Sequence, residues 1–394
     1  MLRVRSEMKL ALVTTDFAPA PGGIATLLAG WARGCSERCG VTVLAPATPG
    51  DQGFDVRQPY EIVRVTGGPG VREARFLKHL LDLDRRDAFD LVACASWFTP
   101  GFVGYLVHVM RNTPYVVWAH GSEVVDDWLT VARGVKSLLR PLKKVVFGKC
   151  NAVVTLSQYT KGLLAAQGIP AHRIRVIPPG VDTARFTPRG AAAAVARYRR
   201  GARHVLLTVA RLDPHKGHAR VLEALATDLS DLDGICYLIA GSGPEEPRLR
   251  RLASSFGLEA RVEFLGYVPD EDLPDLYRAA DVFVMPSGVL RGRLDYVEGF
   301  GISYLEASAC GRPIVGGRSG GVGDAVVDGV TGLLVDPNDV AQIGRAIRAL
   351  ILDPTRAALL GRAGRERVLS HLSLERFAER FIELACDGAQ RNVS

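Results

Sequence analysis

The feature that most constrains this chain is a rhythm that runs twice. Short, almost continuously apolar runs come first in "KLALVTTDF", "VTVLAP", "EIVRVT", "DLVACAS", "YVVWAHG", "AVVTLS" and "IRVIPPG". Runs of that kind are what strands covered on both faces require. Helical spacing fills the gaps, over Gly23 to Cys35, Pro100 to Arg111 and Ser157 to Gln167. Strands and helices in alternation imply an α/β fold with a parallel, doubly wound sheet. The stretch "PPGVDTARFTPRGAAAAVARYRRGAR" (178–203) breaks the rhythm, which then resumes in "HVLLTVARL", "CYLIAGSG", "RVEFLGYV" and "DVFVMPS". The expectation is two Rossmann-like domains, residues 1–185 and 200–371, facing each other across a cleft. Helical patterns fill 338–386, and the last, about 372–386, is expected to cross back onto the first domain. At 394 residues, two domains are the default.

Composition narrows the class. With 47% hydrophobic and 23% charged residues the chain reads as an ordinary globular protein. Apolar stretches such as "GFVGYLVHVM" stop near ten residues, where a bilayer span needs about 20. The apolar run near the start carries Asp16 and leads into a glycine turn, so it reads as a first strand in a cytosolic protein. The seven scattered cysteines are expected as free thiols, because Cys35 and Cys39 have no second pair at zinc-ligand spacing. The net charge of +7 gathers in "VREARFLKHLLDLDRR" (71–86) and "ARGVKSLLRPLKKVVFGKC" (132–150). Both are solvated basic helix faces or a peripheral membrane surface; without interleaved aromatics they do not suggest nucleic acid.

In open α/β sheets ligands sit beyond the carboxyl ends of the strands, so motifs there carry the chemistry. "YVEGFGISYLEASACG" holds Glu298 and Glu306 eight positions apart. On one continuous helix their carboxylates would lie ~80° apart in azimuth and ~12 Å apart along the axis, too far to share a small group. Gly299 and Gly301 argue instead for a loop through Glu298 and Phe300, with a helix starting near Ile302. The N–H groups of Gly301, Ile302 and Ser303 then open that helix and suit an anion. Such an arrangement fits an elongated ligand with hydroxyls at both ends and a phosphate between, the shape of a nucleotide sugar. "ARLDPHKGH" places Arg211 and Lys216 across a strand-to-helix turn, where both could meet one diphosphate. "TTDFAPAPGGIA" puts Gly22 and Gly23 between the first strand and a helix, and the spacing is not that of a nicotinamide or flavin site. "VVWAHGSE" ends a strand at His120 and Gly121.

Together these residues resemble the E-x7-E signature and its companions in retaining glycosyltransferase family 4, in the expected order and over nearly the whole chain. "AHGSEV" and "TLSQYTKG" look most like bacterial phosphatidylinositol mannosyltransferases that use GDP-mannose. The resemblance implies a GT-B fold and metal-independent transfer of a hexose, with retention, from a GDP- or UDP-linked sugar, with no further cofactor. It implies that Glu298 contacts the donor sugar, Glu306 the ribose, and Arg211 and Lys216 the diphosphate. Gly22, Gly23, Phe300, Gly301 and Ile302 would add backbone contacts, and His120 would sit beside the reacting centre. Asp16 and Ser157 are the candidates on the acceptor side. No second carboxylate is placed for a double displacement, so a front-face substitution is expected. The alternative enzyme on the same fold is a non-hydrolysing nucleotide-sugar 2-epimerase. The acceptor is either lipid-linked or a soluble small molecule.

Overall fold

The computed structural model describes residues 8–68, 70–120, 133–289 and 297–391, and the chain divides into two compact units. One runs through Gly180 and takes in the segment from Leu374; the other is Val181–Ser373.

The first unit contains β1 (Lys9–Val13), α1 (Gly23–Ser36), β2 (Gly40–Pro46), α2 (Asp51–Asp55), β3 (Glu61–Val65), α3 (Val71–Asp87) and β4 (Leu91–Cys94). It continues with α4 (Thr99–Arg111), β5 (Tyr115–Ala119), α5 (Arg133–Lys149), β6 (Ala152–Thr155), α6 (Gln158–Ala166) and β7 (Ile174–Val176). The strands lie in the order β3-β2-β1-β4-β5-β6-β7, all pairings parallel. β4, β5 and β6 are buried at every position, which explains why their sequence shows no polar alternation.

The second unit contains α7 (Ala192–Arg199), β8 (His204–Val209), α8 (His218–Ala226), β9 (Ile235–Ala240), α9 (Glu246–Ser255), β10 (Val262–Gly266), α10 (Leu273–Ala279) and β11 (Val282–Met285). After these come α11 (Ile302–Ala309), β12 (Ile314–Gly317), α12 (Val322–Ala325), β13 (Leu333–Val335), α13 (Val340–Leu352) and α14 (Pro354–His371). Its parallel sheet runs β10-β9-β8-β11-β12-β13. In each sheet the order reverses direction beside the first strand of the unit, the point at which such folds bind ligands.

α15 (Leu374–Arg391) belongs to the first unit, where it lies along α1. The approach is close enough that a Cβ on Gly34 would stand 3.1 Å from the Leu374 carbonyl oxygen and 3.2 Å from Ala378 Cβ. Phe377 and Phe381 of α15 both contact the Trp118 ring of β5 at 5.6 Å between centroids, and Phe381 also meets Trp31 of α1 at 4.9 Å. Aromatic pairs of this kind contribute about 0.5–1.5 kcal/mol each beyond area burial.

Several features depart from the sequence reading. Of the stretch 178–203 that breaks the pattern, everything from Val181 onward is built into the second unit. Val181 N–H donates to the Leu372 carbonyl at 3.0 Å, Arg278 donates to the Thr187 carbonyl at 2.7 Å, and Arg199 pairs with Asp281 at 3.0 Å. α7 within it was hidden by its alanine and arginine content. β12 and β13 were not read as strands, being short and rich in glycine or flanked by it. The cysteines, by contrast, match the expectation, all seven being free thiols. On α3, Arg85 pairs with Asp82, and Arg86 with Glu61 and Asp87. Among the described residues no helix is long and apolar enough to cross a membrane.

Candidate active site

In the second unit, the loops that follow the strands are laced together by backbone contacts that only small residues allow. Gly217 closes the turn after β8 at φ +83°, and a Cβ there would come 2.5 Å from the Pro286 carbonyl oxygen beyond β11. Gly288 N–H donates to the His215 carbonyl at 2.8 Å, tying the same two loops. At the end of β12 a Cβ on Gly317 would stand 2.0 Å from the Ser287 carbonyl oxygen. Tyr304 completes the brace, its hydroxyl bonding to the Met285 carbonyl at 2.5 Å and to Ser287 Oγ at 3.0 Å.

On this platform Lys216 Nζ donates to Glu298 Oε2 at 2.5 Å. The side chains are 17% and 11% exposed, so the pair is nearly enclosed. Burial works against the ionised Glu298 carboxyl, but the Lys216 charge and hydrogen bond, nearby His215 and the Phe300 N–H outweigh it and hold it below its usual range. The Glu298 carbonyl accepts from Gly321 N–H at 2.8 Å, which fixes the backbone of the loop. Arg211 differs: its side chain is 73% exposed and meets Asp213 only at 3.4 Å. His215 stands within the field of all four charges, and burial, reinforced by Lys216, lowers it to about 4, so it is neutral at physiological pH.

Helix α11 begins at Ile302, capped by Gly301 at φ +91° without a side-chain cap. Glu306 lies one turn further on. It is 7% exposed, and the Tyr277 hydroxyl donates to its Oε2 at 2.6 Å. Burial raises the Glu306 carboxyl, with the Tyr277 hydrogen bond and Arg185 pulling the other way. The two glutamates are thus held in opposite electrostatic settings, one against a cation and one against a phenol. Sequence reasoning missed Tyr277, Tyr304, His215 and Asp213. Only His215 and Asp213 left a local signal, flanking Pro214 in the Arg211–Lys216 turn.

The first unit holds the other expected residues. Asp16 follows β1, its N–H on Thr14 Oγ1 at 3.0 Å, and a Cβ on Gly22 would stand 3.8 Å from Asp16 Oδ2. Burial raises the Asp16 carboxyl. Gly22 sits at φ 151° immediately before α1, and Gly23 opens that helix with open space where a side chain would stand. His120 follows β5, its ring stacked on Trp118 at 5.7 Å, so α15 supports it from behind. His120 Nε2 lies 2.9 Å from the Ala95 carbonyl, which can only accept, so Nε2 carries the proton. Burial lowers the ring to about 4. Gly121 lies outside the described residues. Ser157 is fully buried and caps α6, accepting from Thr160 N–H at 3.1 Å and bonding Thr160 Oγ1 at 3.0 Å.

Two Rossmann-like units, each built on a parallel sheet, match the GT-B architecture. Residues 21–185 match the model described as Glycosyltransferase Family 4, and residues 197–367 the model described as Glycosyl transferases group 1. A GDP-mannose-dependent alpha-(1-6)-phosphatidylinositol monomannoside mannosyltransferase from Mycolicibacterium smegmatis is 35% identical over 343 residues, covering 86% of this chain and 88% of that protein. A D-inositol 3-phosphate glycosyltransferase from Geodermatophilus obscurus is 36% identical over 276 residues, covering 66% of this chain and 59% of that protein. The crystal structure of Anabaena HepE with UDP-glucose superimposes at a TM-score of 0.80, with 21% identity over 96% of this chain and all of that one, a likeness of fold. The chain belongs to glycosyltransferase family 4, and it is a glycosyltransferase.

Proposed function

We propose that the enzyme moves a hexose, mannose first among the candidates, from a GDP-linked donor to a hydroxyl of an inositol-bearing acceptor, with retention at the anomeric carbon. The observation that carries this is the pairing of Lys216 with Glu298 at the strand ends, eight positions before Glu306 on α11. The mannosyltransferase relative, aligned over most of both chains, supports the choice of donor base and sugar.

Glu298, ionised and fixed by its backbone, accepts from sugar hydroxyls. Lys216 and Arg211 take the charge that grows on the departing diphosphate, supplying what a metal ion supplies in other transferases. The N–H groups of Phe300, Gly301 and Ile302 add to that stabilisation, which acts mainly in the transition state. Glu306, kept ready by Tyr277, accepts from the ribose hydroxyls. In the first unit we assign Gly22 and Gly23 to backbone contacts with phosphate and Asp16 to the acceptor hydroxyl. Neutral His120 is assigned to the sugar. Charge separation without a carboxylate nucleophile gives a front-face substitution. A lipid-borne acceptor would bring the lysine- and arginine-rich helices α3 and α5 to an anionic membrane.

The test is incubation with GDP-mannose or UDP-glucose and either phosphatidylinositol monomannoside in vesicles or inositol phosphate in solution, followed by NMR of the product. An α-linked product from GDP-mannose supports the reading. A β-linked product refutes retention, and transfer from UDP-glucose alone refutes the donor.

A further inference from the structure

Both cations assigned to the diphosphate are already matched by a carboxylate, Lys216 by Glu298 and Arg211 by Asp213. The four side chains sum to zero charge, so an incoming diphosphate must draw a cation away from its partner. The two pairs differ in how hard that is. Arg211 and Asp213 meet at 3.4 Å with the guanidinium largely in water, where such contacts contribute little. Lys216 and Glu298 meet at 2.5 Å and are almost enclosed, where separating a pair leaves an uncompensated charge. Glu298 cannot be the partner that moves. Its carbonyl is held by Gly321 N–H, its carboxylate by Phe300 N–H, and a Cβ on neighbouring Gly320 would come 2.4 Å from its carbonyl oxygen. Lys216 ends a short 3₁₀ turn, and its four-carbon stem can swing.

We infer that Glu298 is a counter-charge latch on Lys216, so that a diphosphate gains Lys216 fully only when sugar hydroxyls take its place on Glu298. This rests on the donor site proposed above and deepens it. Sugar and diphosphate are thereby coupled: hydroxyls on Glu298 offset the loss of Lys216, and Lys216 strengthens the grip on phosphate. Once the sugar has been transferred, Glu298 draws Lys216 back and weakens the hold on the nucleoside diphosphate, which favours release.

The experiment is calorimetric titration with GDP, UDP and inorganic pyrophosphate on the wild type, Glu298→Gln, Lys216→Met, their double variant and Asp213→Asn, each first shown to melt cooperatively. The latch predicts that Glu298→Gln binds the diphosphate about 10-fold tighter than wild type, about 1.4 kcal/mol. That gain must vanish when Lys216→Met is also present. Asp213→Asn should change affinity less than about threefold. A gain that persists in the Lys216→Met background means Glu298 acts by plain repulsion and overturns the latch, as does no gain at all. Glu298→Asp is the second variant if Glu298→Gln fails to fold. It keeps the charge but shortens the reach, so the latch predicts a smaller gain and repulsion predicts none. No binding of any diphosphate by any variant or by the wild type overturns the donor site together with the latch.

Discussion

Replacing Tyr277 by Phe removes one oxygen atom and isolates the carboxylate of Glu306. The ring stays useful, since Tyr277 packs against Phe186 and Phe283 at 5.8 Å through contacts a phenylalanine keeps. What disappears is the 2.6 Å hydrogen bond from the phenol to Glu306 Oε2 inside the protein. A hydrogen bond to a charged group contributes about 1.5–3 kcal/mol, and leaving a buried acceptor unsatisfied costs a similar amount. A loss of ~2 kcal/mol at neutral pH follows, about 4–8 °C in melting temperature for a unit of this size. The pH dependence identifies the cause. Burial already raises the Glu306 carboxyl above its ordinary value of 4.5, and the phenol restrains the rise. A carboxyl raised in the folded state contributes stability that is present below the unfolded value and lost as pH climbs through the folded one. Without Tyr277 the folded value climbs further, so the deficit of Tyr277→Phe should be small near pH 4.5 and grow towards pH 8. Thermal melts of both proteins across that range measure it. A deficit that is constant, or larger in acid, would refute the argument that the phenol serves the ionised form.

Other outcomes follow from the same geometry. Arg211→Ala should lower kcat by about 10²–10³, as for one lost oxyanion contact, with little change in melting temperature because its side chain is exposed. Lys216→Met should lower both, since it strands the Glu298 carboxylate; equal stabilities for the two variants would contradict the enclosed pair. His120, His215 and His218 are all lowered to about 4 by burial, so unfolding takes up protons between pH 6.5 and 4. Stability should therefore fall on acidification through that window, by up to about 1.4 kcal/mol per pH unit for each ring, and denaturant melts at stepped pH would expose a flat profile. Gly317→Ala puts a Cβ against the Ser287 carbonyl, and should destabilise by about 1–3 kcal/mol while impairing donor binding in the same titration.

How much of this was legible follows from what a sequence encodes locally. Strands such as Leu91–Cys94 and Tyr115–Ala119 announce themselves because both faces are covered, so every residue is apolar. The turn into α11 was readable because Gly301, at φ +91°, is a position that other residues resist. β12 was not readable, because its glycines serve a contact with Ser287 that lies elsewhere in the chain. The site divides the same way. Glu298, Glu306, Arg211 and Lys216 stand at fixed spacings within two short segments, so their types and order could be read directly. Their partners could not, because Lys216 reaches Glu298 across 82 positions and Tyr277 reaches Glu306 across 29. Ser157 is a local counterpart: the chain uses its hydroxyl to cap a helix, a role its motif did not announce. A short motif therefore fixes which groups can meet a ligand. Which of them are already matched by a counter-charge, and so what the ligand must displace, is decided by the fold that brings distant segments together.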